Sequence, residues 1–259
     1  MTYWRERGNE RKRRAFASLS THADVVWLDP ERVHTDVQTM DLDLLHVAKR
    51  RPESLATLEL AATHGVPTVN PPSAVRLASD RVDRHSVLFA ASVPVPKVEY
   101  GPATACSLDP PVLVKSRSEG VPGSHDHEFV GTGPLAYTGH QFVESYVPHS
   151  ESVKVHVLGD ESRAVRDEVC RTDGARSDGG SGWTPTRLDD AVAGLVERVR
   201  DVLDLRVFEL DVVRTEADEW VVVDVNPVVS LAGVPDAVSL YSDFLRVCLA
   251  KPAPARRVS

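Results

Sequence analysis

The stretch Phe208–Asn226 constrains this chain more than any other. It reads F-E-L-D-V-V-R-T-E-A-D-E-W-V-V-V-D-V-N, two β-rich runs around a short polar turn. Apolar residues alternating with acids are the period-two signal of strands, and Thr215–Asp218 supplies the turn. With Ala217 and Asp218 at the centre of that turn, Asp211 falls opposite Asp224 on the neighbouring strand. Directly opposed residues share a face about 5 Å apart. Asn226, two residues beyond Asp224, shares that face as well. Two carboxylates and one amide oxygen then converge on a single patch. Like charges placed opposite one another destabilise a sheet unless something positive lies between them. A hard divalent cation would serve, and Mg²⁺ favours carboxylate and phosphate oxygens. On the hairpin alone, an ordinary solvated acidic face is an equal reading.

The chain of 259 residues is long enough for a sizeable core, as one unit or as two to three small lobes. Its net charge of −8 argues against nucleic acid as an electrostatic partner. Cys106, Cys170 and Cys248 lie far apart without a CxxC spacing, which implies neither a zinc site nor a disulfide framework. No apolar run approaches a membrane span and no signal-peptide core is evident, so the expectation is a cytoplasmic protein without a membrane partner.

Taken in order, a basic opening stretch is expected to become a helix near Glu10. Ala23–Leu28 and Asp41–Val47 read as short strands, Ser54 as the cap of a helix through Ala62, Gly65–Asn70 as a turn feeding a strand, and Ser73–Ala78 as a helix. This alternation predicts a small parallel α/β lobe. Asp80–Ala91 is helical. Pro111–Ser116 is a strand that ends at Lys115 and runs into a loop containing Gly120 and Gly123. Such loops let backbone N–H groups close on phosphates while a nearby lysine adds a point charge. The spacing is not that of a Walker A loop, and a lysine beside a plain surface loop is the competing reading.

His140–Tyr146 reads as a strand. Ser152–Leu158 alternates, with Val153, Val155 and Val157 inward and Lys154 and His156 on the opposite face. After the Gly159–Asp160 turn, Ser162–Val169 returns carrying Arg163 and Arg166. Lys154, His156 and an arginine on one face would form a basic platform, unless that face is simply solvated. Arg171–Gly182 is a polar loop. The apolar stripe Leu188 to Leu203 predicts a core-packing helix from about Pro185, a final helix spans about Pro235–Leu249, and the tail beyond is expected to lack structure.

This order of a small α/β lobe, a Lys-bearing strand, a Gly loop, a V-E-S-Y-V strand end and a late D…D-x-N resembles the ATP-grasp superfamily. Within it the chain is similar to the inositol 1,3,4-trisphosphate 5/6-kinase family. That likeness runs from Tyr3-Trp4 through K-S-R-S-E-G-V-P-G-S-H and V-K-V-H-V-L-G-D to D-V-N…G-V-P-D. The resemblance implies an α/β ATP-grasp fold with an N-terminal lobe at 1–80, a central lobe at 81–143 and a C-terminal lobe at 144–259, the last two clasping ATP. It implies that Lys115, with Gly120 and Gly123, contacts the nucleotide phosphates. Glu144, Tyr146 and Val147 would lie on the hinge strand that binds adenine. Asp211, Asp224 and Asn226 match the Mg²⁺ ligands. His125 and Lys154 fall at acceptor-contacting positions, with Arg166 following and Arg11 or Lys12 assisting.

The activity so implied is Mg-ATP-dependent phosphoryl transfer to a small polyanionic acceptor such as an inositol polyphosphate; separately, a monomer is the expected state. The chain departs from the family at Glu119-Gly120, at the hinge and His149, and at Ser230-Leu231, all near the nucleotide or acceptor. An ATP-grasp carboxylate–amine ligase, which uses the same nucleotide site, is therefore the alternative. A non-catalytic nucleotide-binding module is disfavoured by the intact D…D-x-N set.

Overall fold

In the computed structural model, which describes residues 10–118, 127–167 and 182–250, the apolar runs fold onto three sheets. Helix α1 (Glu10–Leu19) starts where the sequence places it and buries Ala15, Phe16 and Leu19. Strands β1 (Leu45–His46) and β2 (Thr68–Val69) form a parallel pair, with α2 (Pro52–Thr63) between them. This is the predicted parallel lobe, with its own core of Leu45, Val47, Leu58, Ala61 and Val66.

Two expectations fail in this lobe. Apart from one bridge residue at Leu28, Ala23–Leu28 is not a strand. A strand needs a partner edge, and two-residue β1 offers almost none; Val26 and Trp27 stay over 40% exposed. Helix α2 starts at Pro52, where proline's fixed φ and missing N–H suit the first turn. Ser54 does not cap it; its hydroxyl donates to the Pro30 carbonyl at 3.1 Å.

Helix α3 (Pro72–Ser79) leads directly into α4 (Arg81–Ala90). Asp80 caps α4 by accepting from the Val82 and Asp83 N–H groups, a satisfaction of orphan donors that side-chain caps commonly provide. An antiparallel four-stranded sheet follows: β3 (Val98–Gly101), β4 (Val112–Lys115), β5 (Glu128–Val130) and β6 (Gln141–Ser145), in spatial order β3-β6-β4-β5. Val112, Val114 and Val143 form its small core.

The rest builds an antiparallel five-stranded sheet from β7 (His149–Leu158), β8 (Glu161–Asp167), β9 (Trp183–Thr186), β10 (Val207–Thr215) and β11 (Trp220–Asn226), in order β11-β10-β7-β8-β9. Helix α5 (Asp190–Leu203) lays Val192, Leu195, Val196, Val199 and Leu203 against Val153, Val155, Val157, Phe208, Leu210 and Val212 of one face. The stripe is core packing, as its spacing predicts. Its helix begins five residues later than expected because Trp183–Thr186 pairs with β8 as an edge strand. Proline is tolerated there, since an edge position asks for no ladder donor.

On the other face, Leu158, Val165 and Val207 pack beneath α1 and α6 (Ala237–Ala250) through Phe16, Tyr241 and Leu245. That cover extends over only one end of the face, and the polar residues described next occupy the remainder. Among the described residues no helix is long and apolar enough to cross a membrane. The polar loop at 171–182 and the tail fall almost wholly outside the described residues.

Candidate active site

The hairpin brings Asp211 opposite Asp224, as the sequence predicts, but by another route. The Thr215 N–H donates to the Glu219 carbonyl at 2.9 Å and the Asp218 N–H to the Thr215 carbonyl at 3.0 Å, so the loop is Glu216–Asp218. Asp218 takes the left-handed conformation, at φ 67. Arg214, Val213 and Val212 then face Trp220, Val221 and Val222. Plain alternation from there would put Asp224 on the face of Trp220 and Val222, in the apolar core. Instead the register shifts between Asp211 and Val212, and the extra residue, Val223, is absorbed as a β-bulge. Trp220, Val222 and Val225 stay packed with the α5 core. Asp224 and Asn226 turn to the opposite face.

That face holds a charge-paired array. Asp211 lies opposite Lys154 of β7, and Glu209 opposite His156. The Lys154 Nζ stands 2.7 Å from Asp211 Oδ1 and 3.5 Å from Glu209 Oε2, while His156 Nδ1 is 2.9 Å from Glu209 Oε1. The His156 Nε2 faces the Ala232 carbonyl at 3.1 Å. Burial alone raises the Glu209 carboxyl. The Lys154 ammonium, His156 and the Ser230 N–H outweigh it and hold the group far below the usual carboxylate range. Across the hairpin, Arg84 of α4 donates to Asp224 Oδ1 at 2.8 Å and to the Ala78 and Val225 carbonyls at 2.9 and 2.5 Å. Asn226 Oδ1 accepts from the Val228 N–H at 3.1 Å and faces Arg50 at 3.5 Å. The two opposed carboxylates therefore each carry a protein cation, which the hairpin alone does not reveal.

Among the described residues no group of three or more His, Cys, Asp or Glu side chains is arranged to hold a metal. The set here is two acids and an amide. Asp211, Asp224 and Asn226 offer hard oxygen donors on one face, a chemistry that suits Mg²⁺ when phosphate and water complete its shell.

Lys115 and Glu144, read from sequence as phosphate and adenine contacts, meet in a buried ion pair at 2.9 Å. Tyr146 and Val147 lie in the connection from the four-stranded to the five-stranded sheet. The Tyr146 N–H is tied to the Pro111 carbonyl at 2.9 Å, and the Val147 carbonyl accepts from His149 at 2.8 Å. Gly120, Gly123 and His125 lie outside the described residues.

The expected acceptor cations do not assemble with Lys154. Arg166 is opposite Val153, hence on the far face of the sheet, and more than half exposed. Arg163 is opposite His156, but Asp236 and Glu161 take its guanidinium. Lys12 is buried with its ammonium on the Ala48 carbonyl at 2.8 Å, and Arg11 is exposed on α1.

Sequence reading passed over Glu209, Arg84 and Asn70. Glu209 was legible, since F-E-L-D alternation puts it on the face of Asp211. Arg84 occupies a buried position of α4 with Arg81 and Leu88, where spacing alone suggests a solvated charge. Asn70 carries no signal. Its Oδ1 accepts from the Arg206 and Val207 N–H groups at 2.7 and 2.8 Å, and its Nδ2 donates to the Val207 and Pro227 carbonyls at 2.7 and 3.2 Å. One buried amide thus clamps both ends of the hairpin to β2.

The sequence matches no protein-family model and no curated protein. Solved structures do match. A RimK domain ATP-grasp protein from Sphaerobacter thermophilus DSM 20745 superposes with a TM-score of 0.72 at 21% identity, over 94% of this chain and 98% of that one. The ADP complex of purK, an N5-carboxyaminoimidazole ribonucleotide synthetase, gives 0.71 at 13% identity, over 96% and 77%. The ATP-grasp ligase PsnB, complexed with minimal precursor, Mg and ADP, gives 0.66 at 13% identity, over 96% of both chains. The molecule has the ATP-grasp fold.

Proposed function

We propose that this chain is an ATP-dependent carboxylate–amine ligase, which activates a carboxylate with the γ-phosphoryl group of ATP and passes the acyl group to an amine. One observation favours this over a polyphosphate kinase: the charge balance of the sheet face. An inositol polyphosphate calls for several cations turned toward it. Here Lys154 is shared by Asp211 and Glu209, Arg84 serves Asp224, and Arg166 lies on the other face. The described part of the face presents no surplus of positive charge. A carboxylate and an amine, with one charge each, suit such a face. The ligase and synthetase named among the similar structures support the same reading.

In this reading Lys115, at the end of β4, offsets negative charge on the nucleotide phosphates, and Glu144 fixes its ammonium. Tyr146 and Val147 border the adenine. Asp211, Asp224 and Asn226 hold Mg²⁺, which neutralises charge on the β- and γ-phosphates during transfer. The substrate carboxylate oxygen attacks the γ-phosphorus and ADP departs. The amine nitrogen then attacks the acyl carbon, phosphate leaves with the C–O electron pair, and the amide forms as the nitrogen loses its proton. Positioning and electrostatics suffice for these steps, so no protein nucleophile is needed.

The test is incubation with Mg-ATP and a panel of amino acids, small peptides and polyol phosphates, with ADP and free phosphate measured separately. A ligase releases both in equal amounts, and added hydroxylamine traps a hydroxamate. ADP without free phosphate, with the phosphoryl group on a polyol phosphate, would overturn the ligase and establish the kinase.

A further inference from the structure

The two carboxylates that face each other across the hairpin are already answered by cations of the chain. Those cations differ in kind. Arg84 is buried, and two carbonyls fix its guanidinium alongside Asp224. Lys154 is a point charge on a flexible stem. Its Nζ is 2.7 Å from Asp211 and 3.5 Å from a second carboxylate, Glu209. It also lies 5.6 Å from the centre of the Trp183 ring, a distance at which a cation is attracted to the aromatic face. Trp183 is closely held, because a Cβ at Gly233 would stand 2.7 Å from the Trp183 Cβ. The ammonium therefore has two seats beside Asp211, the buried Glu209 carboxylate and the Trp183 ring.

We propose that Lys154 is a resident counter-ion of the Asp211 carboxylate, occupying it in the metal-free protein and withdrawing to Glu209 and Trp183 when a divalent cation binds. The inference rests on reading Asp211 and Asp224 as metal ligands. It gives the opposed acids a neutralising charge in the absence of metal, so the hairpin folds without one. The same charge competes with the metal for Asp211, which keeps affinity for the bare ion low. Metal binding thereby frees the ammonium to approach whatever anion arrives next to the metal.

The experiment is a titration of the full chain with Mn²⁺ alone, followed by electron paramagnetic resonance, together with melting in EDTA. Wild type, Lys154→Gln and Lys154→Arg are compared. Removing the competitor is expected to tighten Mn²⁺ binding by about tenfold in Lys154→Gln and to lower its metal-free melting temperature, with saturating Mn²⁺ restoring it. Lys154→Arg keeps the charge and is expected to stay within about twofold of wild type. Equal or weaker Mn²⁺ binding by Lys154→Gln would overturn the proposal. Should Lys154→Gln fail to fold in EDTA, refolding with Mn²⁺ decides: rescue supports the counter-ion, and no rescue refutes it. A wild type that binds neither Mn²⁺ nor Mg-ATP overturns the metal reading itself. A wild type that binds both, beside an unchanged Lys154→Gln, overturns only the counter-ion.

Discussion

The Asp224 carboxylate receives the Arg84 guanidinium at 2.8 Å, and that contact reverses the sign expected for its removal. From the hairpin alone, neutralising one of two opposed acids relieves a repulsion of about 0.2–1 kcal/mol. In the fold, Asp224→Asn leaves a buried guanidinium without its counter-charge, which costs about 1–3 kcal/mol. The variant is therefore expected to be less stable than wild type by that amount in urea unfolding with EDTA present. ATP turnover and Mg-ATP affinity are expected to be lost as well, by coupled assay and calorimetry. The opposition of Asp211 and Asp224 was legible because a turn centred on Ala217 and Asp218 gives the same pairing as the longer loop with its bulge. Arg84 was not, since a helical arginine ordinarily reaches water and only the tertiary approach of α4 to β11 gives it a partner.

The element that decides the site is the bulge at Val223. Strand β11 must send Trp220, Val222 and Val225 into the α5 core and Asp224 and Asn226 to the other face. An even alternation cannot do both, because Val222 and Val225 are an odd number of residues apart. The extra residue reconciles them. Removing one valine from Val221–Val223 should then leave every face assignment intact, with Asp211 still opposite Asp224. The deletion variant is expected to fold, with a melting temperature lowered by less than about 3 °C, equivalent to about 1 kcal/mol at this size. Unfolding of the variant in a circular dichroism melt would contradict this account. The two-residue turn inferred from the sequence reached the right opposition because the longer loop and the bulge offset each other. The edge strand β9 was missed for a related reason: Pro185 reads as a helix start until a neighbouring strand claims the segment.

Across the whole molecule, buried polar side chains join segments that are remote in sequence. His46 of β1 donates from Nδ1 to the Val69 carbonyl at 2.8 Å, and its Nε2 accepts from the Tyr241 hydroxyl of α6. Burial, aided by the nearby Lys12 charge and opposed by the Val69 bond, lowers its pKa from 6.5 to about 4. Between those values the unfolded chain binds a proton that the fold refuses, so stability falls as pH drops from 6.5 to 4, by at most about 1.4 kcal/mol per pH unit. Glu209 acts in the window below. Its carboxyl is depressed from 4.5, so the stability it contributes is present above that value and is lost as pH falls further. Urea midpoints at pH 7.5, 6 and 5 are expected to decline in wild type, and His46→Gln should flatten that decline by the equivalent of one proton. Asn70 makes a similar join between β2 and both ends of the hairpin.

The chain by itself determined what depends on neighbours along the sequence. The spacing of turn and strands paired Asp211 with Asp224 and the apolar stripe placed α5, because periodicity is a property of local backbone geometry; the ATP-grasp fold was indicated by resemblance in the order of the parts. Only the tertiary structure decided which charges meet. Lys154, expected to await a polyanion, lies between two carboxylates. Arg166, expected beside it, is on the far face by one step of register. Lys12 and Glu144 are claimed by a carbonyl and by Lys115. A charge acts on whatever lies within a few ångströms of it, and residues such as 84 and 224, or 70 and 207, come that close only when the chain has folded.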